Sequence, residues 1–200
     1  MGDPDPTDLI NAETNRIPFR AKNFSIDLWK DTFPSWPKTT KGWKNWYLRI
    51  GRANEVYWAE QKLDQCIRLF IVDMLKNESM MIAAAYVWSD TINTFIFGYG
   101  LATPTLANVY MLMGLDISTA DDPLAYNRRA EYKVNTRNID GWEGYIEEYQ
   151  KTGSVGQREH AKFLNMWLDK FIFCGRSVGP TSVYLAATEM LANGVRLPLG

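Results

Sequence analysis

The chain has 200 residues, 46% of them apolar and 22% charged, which suits one compact domain with its own core and excludes bulk disorder. Its 22 basic and 23 acidic residues leave a net charge of −1, so nothing global draws it to nucleic acid or an anionic membrane, and any such role needs a local patch. A single histidine excludes a multi-histidine metal centre and a two-histidine catalytic scheme, while 8 Trp, 10 Tyr and 9 Phe make aromatic content the outstanding feature.

Residues 1–18 are acidic and proline-rich and read as a flexible arm, lacking the apolar core of a secretory signal. No apolar run approaches the roughly 18–20 residues of a membrane span, so the expectation is an intracellular protein without a membrane segment. Residues 19–200 read as one domain. Phe33-Pro34-Ser35-Trp36-Pro37 is a rigid connector, because two prolines forbid a helix. Thr40 is then the expected N-cap of a helix carrying Trp43, Trp46, Tyr47 and Ile50 on one face, punctuated by Gly51. Residues 52–64, with Val56, Tyr57 and Leu63 inward, and 65–76, with Ile67, Leu69, Phe70 and Val72, continue the helical pattern. Ser79 to Val87 follows it.

Trp88 to Asn93 reads as a polar turn. Thr94 to Phe97 and Leu101 to Thr103, around Gly98-Tyr99-Gly100, read as a hairpin. Thr103-Pro104 predicts a helix start, with Leu106, Val109, Tyr110 and Met113 sharing a face and Gly114 as stop. Residues 116–139 predict a long loop. Trp142 to Lys151 predicts a short helix, with Tyr145, Ile146 and Tyr149 on one side. Residues 157–173 form the clearest helix. There His160, Leu164, Trp167, Leu168 and Phe171 fall within about 100° of arc, and Lys162, Asn165 and Asp169 take the far side. Pro180 to Asn193 predicts a last helix, with Val183, Ala187, Met190 and Leu191 inward and Gly194 as stop. The expected class is therefore mainly α, a single domain of about six to eight short helices with one small β-hairpin. Cys66 and Cys174 have no metal-like spacing and are expected to be reduced, largely buried thiols, with a single disulfide as the alternative.

Three blocks carry a family resemblance. The first runs from Trp36-Pro37 through Trp43 and Trp46 to Trp58. The second is W-S-D-T-I-N-T-F-I-F-G-Y-G from Trp88, leading into T-P-T-L-A-N-V-Y-M-L-M-G-L from Thr103. The third is H-A-K-F-L-N-M-W-L-D-K-F-I-F from His160 to Phe173. In order and spacing they resemble the plant mobile domain, the retrotransposon-associated domain of the maintenance-of-meristems proteins, over roughly residues 33–197. Ala107 and Asn108 stand where the family usually has acidic residues, and the chain ends at Gly200 where many members continue, which suggests a C-terminally shortened domain. The resemblance implies a nuclear plant protein acting in transposon silencing, gene expression and meristem or genome maintenance. It also implies a protein partner, with a protein phosphatase 7-like protein as the candidate.

On the residues themselves, the blocks read as scaffold, with Trp43, Trp46, Trp88, Phe95, Phe97, His160, Phe163, Trp167 and Phe171 as structural core. His160 lies on an apolar helix face and reads as a core histidine hydrogen-bonded to backbone or to a partner such as Asp or Tyr. No nucleophile elbow or phosphate loop is present, and no cofactor cleft is expected. No catalytic, metal or cofactor residue is therefore assigned, and the expectation is a non-enzymatic interaction module. Glu143, Glu147 and Glu148 read as a solvated face. Tyr99, Tyr126 and Tyr132, in turns or loops, are the candidate partner-binding aromatics. The alternative is sequence-tolerant nucleic-acid binding through Lys38, Lys41, Lys44, Arg49 and Arg52, with Arg128, Arg129, Lys133 and Arg137. A remnant of a transposon-derived enzyme and self-association are the other readings.

Overall fold

The computed structural model describes residues 38–73, 75, 77–89, 91–115, 130–134, 139–174 and 179–197. The expected arm at 1–18, the proline connector, and Tyr126, Arg128, Arg129 and Arg137 lie outside the described residues. Among the described residues are seven α-helices, one π-helical segment and a three-stranded antiparallel sheet, a mainly α architecture as expected. These residues fall into two compact units, one within Lys76–Thr105 and the other within Pro34–Leu75 and Leu106–Gly200.

In the larger unit, α1 (Trp43–Glu60) is the tryptophan helix. Gly42 rather than Thr40 takes its N-cap position, because the chain enters through a left-handed turn, φ 85°, that a side chain disfavours. Thr40 contributes only its carbonyl, accepting from Trp43 N at 3.1 Å. Gly51 does not end the helix. The break comes at Asn54, whose φ/ψ of −125°/15° kinks α1 while its Nδ2 donates to the Ile50 carbonyl at 3.0 Å. The kink turns Trp58 inward and leaves Val56 exposed, against expectation. The short α2 (Asp64–Leu69) buries Cys66 and Ile67, whereas Leu69 and Val72 face solvent.

The core forms where α1 crosses α6 (Gln157–Met166). Phe163 is its hub: Trp43 stacks on it at 4.6 Å, Trp46 meets it edge-on at 5.3 Å, and Trp58 stacks at 5.5 Å. Each indole N–H has its own acceptor. Trp43 donates to the Phe70 carbonyl at 2.9 Å, Trp46 to Glu159 Oε1 at 3.2 Å, and Trp58 to His160 Nε2 at 2.9 Å. The chain leaves α6 through a π-helical turn, Trp167–Ile172, closed by Phe173 N to the Leu168 carbonyl at 2.9 Å.

The expected polar far side of this helix is not solvated. Lys162, Asn165 and Asp169 are all buried, because α5 (Gly141–Tyr149) and α7 (Leu185–Ala192) cover the face opposite α1. Each bonds to chain lacking regular structure: Lys162 Nζ donates to the Lys133 carbonyl at 2.7 Å and Asn165 Nδ2 to the Thr181 carbonyl at 3.0 Å, while Asn165 Oδ1 stays without a partner. Asp169 Oδ2 accepts from Thr181 N at 2.9 Å and its hydroxyl at 2.7 Å. That grip on Thr181 delays α7 to Leu185, so Val183 is exposed and Leu185 takes the inward place expected for it. Both thiols are free. Cys66 is buried, but Cys174 is exposed rather than buried, since it follows the π turn at a positive φ of 43°. α4 (Leu106–Met113) begins two residues after Pro104. Val109 and Met113 are half-buried, but Leu106 and Tyr110 are exposed.

In the smaller unit, α3 (Glu78–Val87) is capped by Asn77, whose side chain accepts from Met80 N at 2.9 Å. The Trp88–Asn93 stretch is not wholly a turn: Trp88–Ser89 forms β1, paired with β2 (Thr94–Phe97), which pairs in turn with β3 (Gly100–Ala102). Strand alternation buries Thr94 and Ile96. It leaves Trp88, Phe95 and Phe97 half-buried as an aromatic row, with Trp88 meeting Phe95 at 4.8 Å.

Candidate functional site

A cleft of about 670 Å³ opens in the larger unit. Three pieces of chain line it: residues 131–133, the end of α5 with the segment to Gly156, and the first turns of α6. Four cations converge on it, Lys133, Lys151, Arg158 and Lys162, with Tyr132 and Tyr149 between them and Glu131 and Glu159 as the acidic members.

Two buried glutamates hold these pieces in place. Glu159 stands in the first turn of α6, where the helix dipole favours a carboxylate. Its Oε1 accepts from Trp46 Nε1 and, at 3.1 Å, from Lys151 N, while its Oε2 pairs with Arg49 at 2.7 Å. Arg49 also donates to the Gly153 carbonyl at 2.8 Å. One carboxylate thus joins α1, α6 and the irregular chain after α5. Glu189 of α7 accepts from Glu131 N at 2.7 Å and Tyr132 N at 2.6 Å, fixing the opposite wall. Buried carboxylates that gather backbone N–H groups contribute strongly, because those donors otherwise lose water without replacement.

The cations are placed differently from one another. Lys133 and Arg158 are exposed, and the Arg158 guanidinium lies 5.3 Å over the Tyr132 ring. Lys162 is only 4% exposed, its Nζ 5.0 Å over the Tyr149 ring and bonded to the Lys133 carbonyl. Burial pushes its ammonium down to about 8, Glu189 opposes that shift and Arg158 adds to it. Among the described residues the one salt bridge is Arg49–Glu159, so Lys162 has a carbonyl and a ring for partners but no carboxylate.

Of the residues singled out from sequence, the cleft gathers Tyr132 and Lys133. Lys38, Lys41, Lys44 and Arg52 are exposed and do not line it. Arg49 is not a free cation: its charge is held against Glu159, which removes it from a phosphate-binding face. Tyr99, at the tip of the β2–β3 turn, is 85% exposed and stacks on Phe97 at 5.2 Å. Glu143, Glu147 and Glu148 are exposed. Sequence reasoning missed Tyr149, Lys151, Arg158 and Lys162. The available signal was the spacing of Arg158 and Lys162, i and i+4 on one helix face, just after two glycine breaks.

His160 sits away from the cleft. It is 4% exposed, accepts the Trp58 N–H and meets the Tyr57 ring edge-on at 5.5 Å. Its partner is thus an indole, where the expectation was backbone or a partner such as Asp or Tyr. Burial pushes its imidazole down to about 4, so it is neutral at physiological pH. No group of three or more His, Cys, Asp or Glu among the described residues is arranged to hold a metal ion. Nor is any helix among them long and apolar enough to cross a membrane.

A family model described as plant mobile domain matches residues 63–200. The chain belongs to the plant mobile domain family. This plant mobile domain carries the hairpin-and-helix block and the His160–Phe173 block within the matched stretch, whereas the Trp36–Trp58 block lies before it. The cleft walls, from Glu131 to Lys162 and Glu189, all lie inside it. Membership makes this a transposon-related plant domain. No curated protein and no solved structure matches the chain.

Proposed function

We propose that this plant mobile domain is a non-enzymatic protein-interaction module of a nuclear plant protein. Its role is in transposon silencing, gene expression and meristem or genome maintenance, and a protein phosphatase 7-like protein is the candidate partner. The observation that carries the non-enzymatic reading is the state of His160. The chain's one imidazole is buried, neutral, and already uses its accepting nitrogen for Trp58, so it has no lone pair for a substrate proton. What remains at the cleft is recognition chemistry, cations interleaved with aromatic rings. Family membership supports the transposon-related setting.

The exposed Lys38, Lys41, Lys44 and Arg52 favour a second reading, sequence-tolerant contact with nucleic acid phosphates. Affinity capture from plant nuclei, with and without nuclease, separates the two. The module reading expects proteins that stay bound after nuclease. Loss of every retained protein on nuclease treatment overturns it in favour of nucleic-acid bridging.

A further inference from the structure

A lysine as buried as Lys162 ordinarily has a carboxylate beside it, because taking an ammonium out of water is strongly unfavourable unless its charge is matched. Here the ammonium touches one carbonyl and the face of Tyr149, Glu189 acts on it only from beyond ion-pair distance, and the group borders an open cleft. The surroundings are net cationic. Lys133, Lys151 and Arg158 line the same cleft beside Lys162, Glu159 is neutralised by Arg49, and Glu189, which keeps its charge, is turned towards two backbone N–H groups. Only Glu131 adds a free-standing acidic side chain to the lining.

We propose that the cleft is a docking pocket for an oxyanion carried on an acidic segment of a protein partner, whose carboxylate or phosphate supplies the missing counter-ion of Lys162, with Arg158 and Lys133 at the rim. The assignment rests on the interaction-module reading and names the chemistry of its partner. A peptide fits better than a nucleic acid strand for two reasons. Single-strand binding needs bare aromatic faces for bases, but Tyr132 and Tyr149 are packed against the core and each already holds a cation over its ring. The four cations also close around one cleft instead of tracking a backbone along the surface, and the exposed Lys38, Lys41, Lys44 and Arg52 do not line it.

Fluorescence anisotropy with the full chain tests this. Four labelled probes of similar length suffice: a hexaglutamate peptide, a peptide with two phosphoserines, a hexalysine peptide and a twelve-nucleotide oligothymidine. The expected result is saturable binding of an acidic peptide, weakened by salt and absent for hexalysine, with the tighter acidic arm identifying carboxylate or phosphate. Lys162→Gln should weaken that binding at least tenfold and Arg158→Gln at least threefold, whereas Lys44→Gln should leave it unchanged. If Lys162→Gln does not fold, exposed Arg158→Gln and Lys133→Gln together carry the test. Failure of both acidic peptides to bind, binding indifferent to Lys162 and Arg158, or tighter binding of oligothymidine that is lost in Lys162→Gln overturns the assignment. Nuclease-resistant capture of a protein that Arg158→Gln leaves unchanged, with no acidic peptide bound, removes the pocket but leaves the module reading standing.

Discussion

His160 and Phe163 show how much rests on single side chains at the α1–α6 crossing. The imidazole of His160 sits at about 4 in the fold, against 6.5 unfolded, so between those values only the unfolded chain carries the extra proton. Stability therefore falls as pH drops from about 6.5 towards 4, with up to about 3 kcal/mol lost by the lower end. Urea unfolding at pH 7.5 and 4.5 should show a smaller difference for His160→Gln, whose amide oxygen accepts the Trp58 N–H without titrating. Equal pH dependence in the two proteins would show that His160 is not held neutral by burial. Phe163→Ala removes the ring shared by three tryptophans and should cost about 3–5 kcal/mol, read as a lower urea midpoint. Glu159→Ala should cost about 3 kcal/mol by orphaning Arg49, the Trp46 indole and the Lys151 amide. Glu159→Gln, which keeps the acceptor, should cost less.

Elements here begin and end where backbone geometry and buried acceptors dictate, and less where residue preference alone would put them. α1 starts at Gly42 because the entering chain needs a left-handed turn pressed close to α5. A Cβ at Gly42 would lie 3.0 Å from Ile146 Cγ2. Gly42→Ala should therefore destabilise by about 1–3 kcal/mol, seen as a lower thermal midpoint with the fold retained. Thr40 satisfies the usual N-cap preference and yet is not the cap, because composition does not reveal which residue must adopt positive φ. Gly51 likewise reads as a stop but lies within the helix, where its missing Cβ lets Trp58 approach to 3.3 Å of where that atom would be. The break goes to Asn54, whose side chain bonds back to the helix.

Across the larger unit, three buried carboxylates hold chain that has no regular structure of its own. Glu159 takes the segment after α5, Glu189 takes residues 131–132, and Asp169 takes Thr181. Irregular backbone needs such acceptors, since it lacks helical or ladder partners for its N–H groups. Glu189→Ala should release the Glu131 and Tyr132 amides, cost about 2 kcal/mol, and loosen one wall of the cleft. Hydrogen exchange should show those two amides losing protection while the amides of α6 keep theirs. Unchanged protection at 131–132 would mean that other contacts hold the wall.

The sequence by itself determined the class of the fold and its aromatic helices. Tryptophans three apart, the F-L-x-x-W-L run and the glycine-flanked β-rich stretch are local signals, and periodicity reports them directly. It also put His160 on an apolar face. It did not reveal that Lys162, Asn165 and Asp169 lie buried, because one helix's pattern says which side is apolar but not how many neighbours cover it. It did not reveal the cleft either. Arg158 and Lys162 are neighbours by helix spacing, but Lys133 joins them only through the bonds that Glu189 makes to residues 131–132, and a pairing between residues 57 positions apart leaves no local trace. Tertiary structure alone thus decided which cations are free, which are already paired, and where the aromatic excess stops being core and begins to face solvent.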